Sequence, residues 1–327
     1  MAGQSFLLRW IGRLLLLGVI LIVVLVLVGL VREARIRHRY EAAYPAPGQM
    51  EDIGTHALHL RVMGTGSPTV VFESDLDQFG LLSWAMVQQA VSQFTRTVSY
   101  DRAGIMWSDP GPRPRDGETI ARELHAALDA AGESAPFVLV GHAMGGAYVR
   151  IFAGHYLSEV CGVVLIDATH PDALARLAAI GLEKKIPPSS LRPLVFLVSH
   201  LGLGRGKPGP QYSLPDAIYE AEQAFLPKSS LAWFDEMVEV PRTLAQSSRY
   251  QRFGTIPLIV LASSRPTAIK PRGSEQDLQE MWLESQQEFT QLSSDSDLRL
   301  CEDSGHYIQF GRPDVVVQAI RDIVTAF

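Results

Sequence analysis

The chain has 327 residues, of which 47% are apolar and 20% charged, enough to build one large α/β core or two smaller ones. Its net charge of -6, with no long basic run, leaves no electrostatic footprint for nucleic acid and sets that class of partner aside.

In chain order, the first element is an anchor. Leu14 to Val31 (LLLLGVILIVVLVLVGLV) contains no charge. As a helix at about 1.5 Å per residue it spans roughly 27 Å of hydrocarbon. A cleaved signal peptide has a shorter apolar run and a small-residue cleavage site, whereas REARIRHRY follows here. Residues 1–41 therefore read as a retained membrane anchor, with the lipid bilayer as partner. Arg9 and Arg13 precede the span and Arg32, Arg35, Arg37 and Arg39 follow it, so basic residues do not choose an orientation.

Residues 42–327 read as one domain. HALHLRVMG alternates like an early antiparallel strand, TVVFES is a buried strand, LLSWAMVQQAVSQF reads as a helix and TRTVSYD as a strand ending at Asp101. Ile120, Leu124 and Leu128 form a helical stripe. FVLV is a strand that runs into a helix beginning near Gly145, and CGVVLID is a strand ending at Asp167. From about 171 to 252 the alternation stops in favour of helical pieces, which read as an inserted cap. Strand IPLIVLAS, a helix from about Ser274 to Leu292, strand DLRLCED and a closing helix complete the chain. Alternating strands and helices predict an α/β fold with a mainly parallel, doubly wound sheet. Cys161 and Cys301 lie in separate strands and read as free thiols.

The chemistry concentrates in LVGHAMGGA, residues 139–147. A strand, a tight turn flanked by Gly141, Gly145 and Gly146, and a helix form the setting that presents a nucleophile. The nucleophile position is Ala143, which has no attacking oxygen. The Met144 N–H, at the positive end of the helix, is an oxyanion donor. His306, in EDSGHYIQF after the last strand, occupies the place of a general base. Asp167, at a strand end, is the preferred acid; Glu275 and Asp277, beyond IPLIVLASS, are the alternatives. The sequence holds no dinucleotide fingerprint, phosphate loop or metal-ligand spacing, so it implies no cofactor.

FESDLDQFG, SYDRAGIMWSDPGP, LVGHAMGGAYVRIFAGHY, VVLIDATHPD and EDSGHYIQF together resemble the α/β-hydrolase superfamily, in particular bacterial membrane-anchored esterases and lipases. The resemblance covers roughly residues 50–327 and implies the α/β-hydrolase fold and a bacterial cell (inner) membrane setting. In such relatives the elbow reads Gly-His-Ser-x-Gly-Gly and the loop after the third strand Glu-Ser-Gly-Leu-Gly, which implies Leu76 as the second oxyanion donor. Asp75 and Asp77 stand where the resemblance leads one to expect glycines. A carboxylate there opposes the charge of an acyl-transfer transition state. Neither Asp75 nor Ser74 lies at the elbow in the sequence, so no substitute nucleophile is expected.

Three functions follow as expectations. One is a pseudoenzyme that binds a hydrophobic or ester-like ligand or a membrane-protein partner. The second is a serine esterase or lipase in its Ala143 variant. The third uses His306 and Asp167 as a general base towards water or an acidic proton. The apolar segment SLRPLVFLVSHLGLG, too short to span a bilayer, is expected to wall a pocket in preference to touching lipid or a membrane protein.

Overall fold

The computed structural model describes residues 2–203, 205, 216–265 and 275–327. The chain opens with α1 (Ala2–Ala43), then β1 (Gln49–Asp52), β2 (Ala57–Met63), β3 (Thr69–Glu73), α2 (Gln88–Val91) and β4 (Thr97–Tyr100). It continues through α3 (Gly117–Ala130), β5 (Phe137–His142), α4 (Met144–His155) and β6 (Val160–Ile166). Between β6 and β7 the described elements are helices: α5 (Ala173–Ala179), α6 (Arg192–His200), α7 (Asp216–Val238) and α8 (Val240–Ser247). The last elements are β7 (Leu258–Arg265), α9 (Glu275–Phe289), β8 (Ser296–Gly305), α10 (Ile308–Gly311) and α11 (Pro313–Ala326).

The strands form a single sheet in the order β1-β2-β4-β3-β5-β6-β7-β8. β2 pairs antiparallel with β1 and β4, and every pairing from β4 onward is parallel. Parallel strands need both faces covered, which is why β5 opens on the unbroken apolar run FVLV. Leu139 points to one face and packs with Val163, Leu124 of α3 and Phe152 of α4. Val138 and Val140 point to the other, with Val164, Ile320 of α11 and Trp84. Asp116 caps α3 by accepting the Thr119 N–H at 3.0 Å, satisfying one of the amides a helix start leaves open.

The segment LLSWAMVQQAVSQF, expected to be one helix, is a correction. It forms a 3-10 turn at Gly80–Trp84 and the short α2. Side-chain bonds override its helical period. The Ser83 hydroxyl donates to Asp77 at 2.9 Å, the Gln88 amide donates to the Arg61 carbonyl at 2.8 Å, and Trp84 is locked under Phe72.

Within α1, Leu14, Leu17, Leu21 and Leu25 are all exposed, as a bilayer span requires. The end of α1 docks on the cap: the Tyr44 hydroxyl donates to Glu220 at 2.6 Å, and Tyr40 and Tyr44 pack with Trp107 around Phe225. The expectation that SLRPLVFLVSHLGLG walls a pocket also needs correction. Leu194, Phe196, Leu197 and Val198 of α6 are exposed, because the half-buried Arg192 and Val195 and the buried Ser199 form the covered side of that helix.

Candidate active site

Ala143 sits at the junction of β5 and α4 with φ 49° and ψ −115°, a conformation that side-chain-bearing residues seldom adopt. Three backbone bonds impose it. The Ala143 N–H donates to the Ile166 carbonyl at 3.0 Å, and the Ala143 carbonyl accepts Gly146 N–H at 3.0 Å and Thr169 N–H at 2.9 Å. The turn tolerates no bulk behind it. A Cβ on Gly145 would stand 2.4 Å from the Glu73 carbonyl oxygen, and one on Gly141 2.7 Å from the Gly145 oxygen. The fold thus builds a complete nucleophile elbow around a methyl group.

His306 and Asp167 meet above it. His306 Nδ1 donates to Asp167 Oδ2 at 2.7 Å. The Asp167 carboxylate is held by further donors: the Ser263 N–H at 2.9 Å, the Ser263 hydroxyl at 3.0 Å and the Trp282 indole N–H at 2.7 Å. His142, the residue before Ala143, donates from Nε2 to the His306 carbonyl at 3.0 Å, fixing the loop that carries the imidazole. Burial pushes the His142 pKa down to about 4, so its ring is neutral. Of the acid alternatives, Asp277 is exposed on α9, and the Glu275 side chain lies outside the described residues.

The fourth member is Asp75. Its Oδ1 accepts the Met144 N–H at 3.0 Å, and its Oδ2 lies 3.9 Å from His306 Nε2. The amide expected to bind an oxyanion is therefore bound to a fixed anion of the protein. Although distant in sequence, Asp75 reaches the elbow, where its carboxylate lies against the Met144 amide. Leu76 lies alongside: its carbonyl accepts the Trp233 indole N–H at 3.1 Å, and its side chain packs on the cluster containing Met144 and Tyr148.

Charge pairing explains the protonation states. Burial alone would lower the His306 pKa, but the bond to Asp167 and the pairing with Asp75 outweigh it and push the value up to about 10. Burial alone would raise the Asp75 pKa, but His306 and the Met144 amide reverse this and hold it well below the usual carboxylate range. These shifts favour the charged imidazole at His306, which lies between Asp75 and Asp167. A charged His306 opposes the general-base role considered from the sequence.

Asp77 has a different role. Its Oδ1 accepts the Phe79 and Gly80 N–H groups at 3.0 and 3.3 Å, a local turn that closes the loop. Burial, then the neighbouring Asp75 charge, pushes its pKa up to about 7.

The loop bearing Asp75 is held by Arg102, which the sequence contains within SYDRAG without marking it as structural. Buried Arg102 donates to Glu73 at 2.8 Å, to Glu236 of α7 at 3.0 Å, to the Ser74 carbonyl at 2.9 Å and to the Asp75 carbonyl at 2.6 Å. Tyr148 lies under the guanidinium at 5.1 Å. Burial pushes the Glu73 pKa up to about 7 even with Arg102 beside it. Ser263, Trp282 and Glu236 had no local sequence signal, since each meets the site only through the fold.

The model of the family described as "Alpha/beta hydrolase family" matches residues 64–319. A probable transporter of Hormonema carpetanum is 34% identical over 36% of this chain and 18% of its own length. An uncharacterised Schizosaccharomyces pombe protein is 24% identical over 88% of this chain and 58% of its own. An uncharacterised vacuolar membrane protein of Saccharomyces cerevisiae is 27% identical over 37% of this chain and 19% of its own. The chain thus spans between about a fifth and three fifths of the length of these relatives. Among solved structures, the epoxide hydrolase CorEH superposes with a TM-score of 0.64 at 18% identity, covering 85% of this chain and 98% of that one. A Thermogutta terrifontis esterase superposes with a TM-score of 0.61 at 18% identity, covering 85% and 99%. At such identities the likeness is one of fold.

Proposed function

Starting from a chain that belongs to the alpha/beta hydrolase family, we propose that it is a membrane-tethered member that has given up acyl transfer and serves as a ligand-binding or scaffold protein at the membrane. The observation that carries this reading is the Asp75 carboxylate on the Met144 amide at 3.0 Å, beside a residue 143 without an oxygen. Acyl transfer needs a nucleophile and empty donors aimed at a developing oxyanion. Here the first is missing, and one of the second is already satisfied by an anion. The proposed ligand is hydrophobic or ester-like, the proposed protein partner a membrane protein, and the proposed setting the bacterial cell (inner) membrane.

A second reading, a serine esterase or lipase whose nucleophile has been substituted, is favoured by the elbow geometry at Ala143 and the 2.7 Å His306–Asp167 bond. Treating the chain with a fluorophosphonate probe and p-nitrophenyl esters tests the main reading. It expects no covalent adduct and no turnover above buffer; a stoichiometric adduct or measurable turnover would refute it.

A further inference from the structure

The exposed face of α6 has a definite place relative to the membrane span. A Cβ built on Gly29 would lie 2.7 Å from Leu201 Cδ2, so the end of α6 rests directly on α1 at Gly29. Gly29 belongs to the uncharged run that ends at Val31, which puts Leu201 about 3 Å inside the apolar boundary at the helical rise. Just beyond, where α1 turns polar, Arg205 donates to Glu33 at 2.9 and 2.5 Å, and Glu33 is buried in that pair. Leu201 and Arg205 thus follow the same apolar-to-polar change that α1 makes between Gly29 and Glu33.

The outer surface of α6 shares the apolar character of that stretch. Leu194, Leu197, Val198 and Leu201 recur at the spacing of one helical face, and Leu194, Leu197 and Val198 are exposed, together with Leu191, Phe196 and Leu203. The inner side is tied to the cap by Arg192, which donates to Asp235 of α7 at 2.8 Å. α7 in turn reaches the candidate site through Trp233 to Leu76 and Glu236 to Arg102. A contiguous apolar surface of this kind calls for an occupant.

We infer that α6 and the turn after it are a second membrane contact, immersed in the acyl-chain boundary of the leaflet that α1 exits, so that the cap side of the domain rests on the bilayer. Interfacial helices lie in this way with the apolar face sunk roughly 5–10 Å. The occupant is lipid because the surface is continuous with a transmembrane helix at the depth where that helix is itself in hydrocarbon. The inference rests on α1 as a membrane span but not on the chemistry proposed for the site. It places the strand ends that carry Ala143, Asp75 and His306 on the membrane side of the domain.

Nitroxide labels on single cysteines in the full chain, reconstituted in phosphatidylcholine nanodiscs, test it. Leu194→Cys and Leu197→Cys report α6, and Leu21→Cys reports the span. Phe327→Cys reports the opposite end of the domain, since α11 packs Ile323 against Gly162 near the start of β6. The unsubstituted chain gives the background from Cys161 and Cys301. Collision with oxygen relative to a water-soluble nickel chelate should be several-fold higher at 194 and 197 than at 327 and should approach the value at 21. Values at 194 and 197 equal to that at 327 would overturn the inference. So would shielding from both quenchers, the signature of a protein partner or second copy. If the label at 21 also reads as water, the anchor itself fails; if only the α6 labels do, the anchor stands and the inference alone falls.

Discussion

Asp75 Oδ1 accepts the Met144 N–H at 3.0 Å, so the first amide of α4 is satisfied within the protein by an anion from the loop after β3. Placement of a carboxylate at a helix N-terminus is favourable for stability. The same placement opposes oxyanion binding, and the two consequences cannot be separated by changing residue 143 alone.

The first prediction concerns charge. His306 should titrate near pH 10 in the native chain, followed through the imidazole ring carbons by NMR. In Asp75→Asn its midpoint should fall by about 1–3 pH units, the usual effect of losing one opposite charge at this range. An unchanged midpoint would mean that Asp75 does not set the state of the ring.

Stability should follow the same groups. The folded pKa of His306 is raised above 6.5, so its contribution is complete below pH 6.5 and lost as pH rises toward about 10. Asp75 is lowered from 3.8, so its contribution is present above pH 3.8 and lost on further acidification. Glu73 and Asp77, raised to about 7 from 4.5 and 3.8, oppose folding increasingly as pH climbs through that window. Urea unfolding of the chain in detergent should therefore show declining stability from about pH 5 to 10. Asp75→Asn should flatten the part above pH 6.5; an identical slope in the variant would contradict the assignment.

Ala143→Gly should stabilise the chain, since φ 49° suits glycine and an Ala there carries strain of order 1 kcal/mol. The midpoint of thermal unfolding should rise by about 2–4 °C. A fall would show that the turn is unstrained with Ala in place.

Removing Arg102 should be costly, because Glu73 and Glu236 would be left as buried charges without their partner. Arg102→Met should destabilise by about 3–5 kcal/mol in chemical denaturation. A loss below about 1 kcal/mol would mean that these groups find water or protons instead.

Much of the fold was legible in the sequence because a parallel sheet buried on both faces writes itself as apolar runs such as FVLV and VVLI. His306 and Asp167 were also legible, each following a strand end, and the structure joins them at 2.7 Å. What the sequence could not disclose was direction. Asp75 was visible as an anomaly, but its turn toward Met144 depends on Arg102 fixing the Asp75 carbonyl and on Glu236 arriving from the cap, 134 residues away from Arg102. Asp77, equally anomalous by letter, turned out to serve its own loop. The α6 segment was misjudged because apolar content does not say which side is covered.

The most direct test of the central claim compares Ala143→Ser with the double variant Asp75→Gly/Ala143→Ser for fluorophosphonate labelling and p-nitrophenyl ester hydrolysis. A blocked oxyanion amide predicts that restoring the serine alone leaves the protein nearly inert. Clearing Asp75 as well should raise the rate by a factor of about 10² or more, the usual worth of one such donor. If Ala143→Ser alone labels and hydrolyses as fast as the double variant, Asp75 does not close the site, and the reading of this fold as one that has abandoned acyl transfer is contradicted.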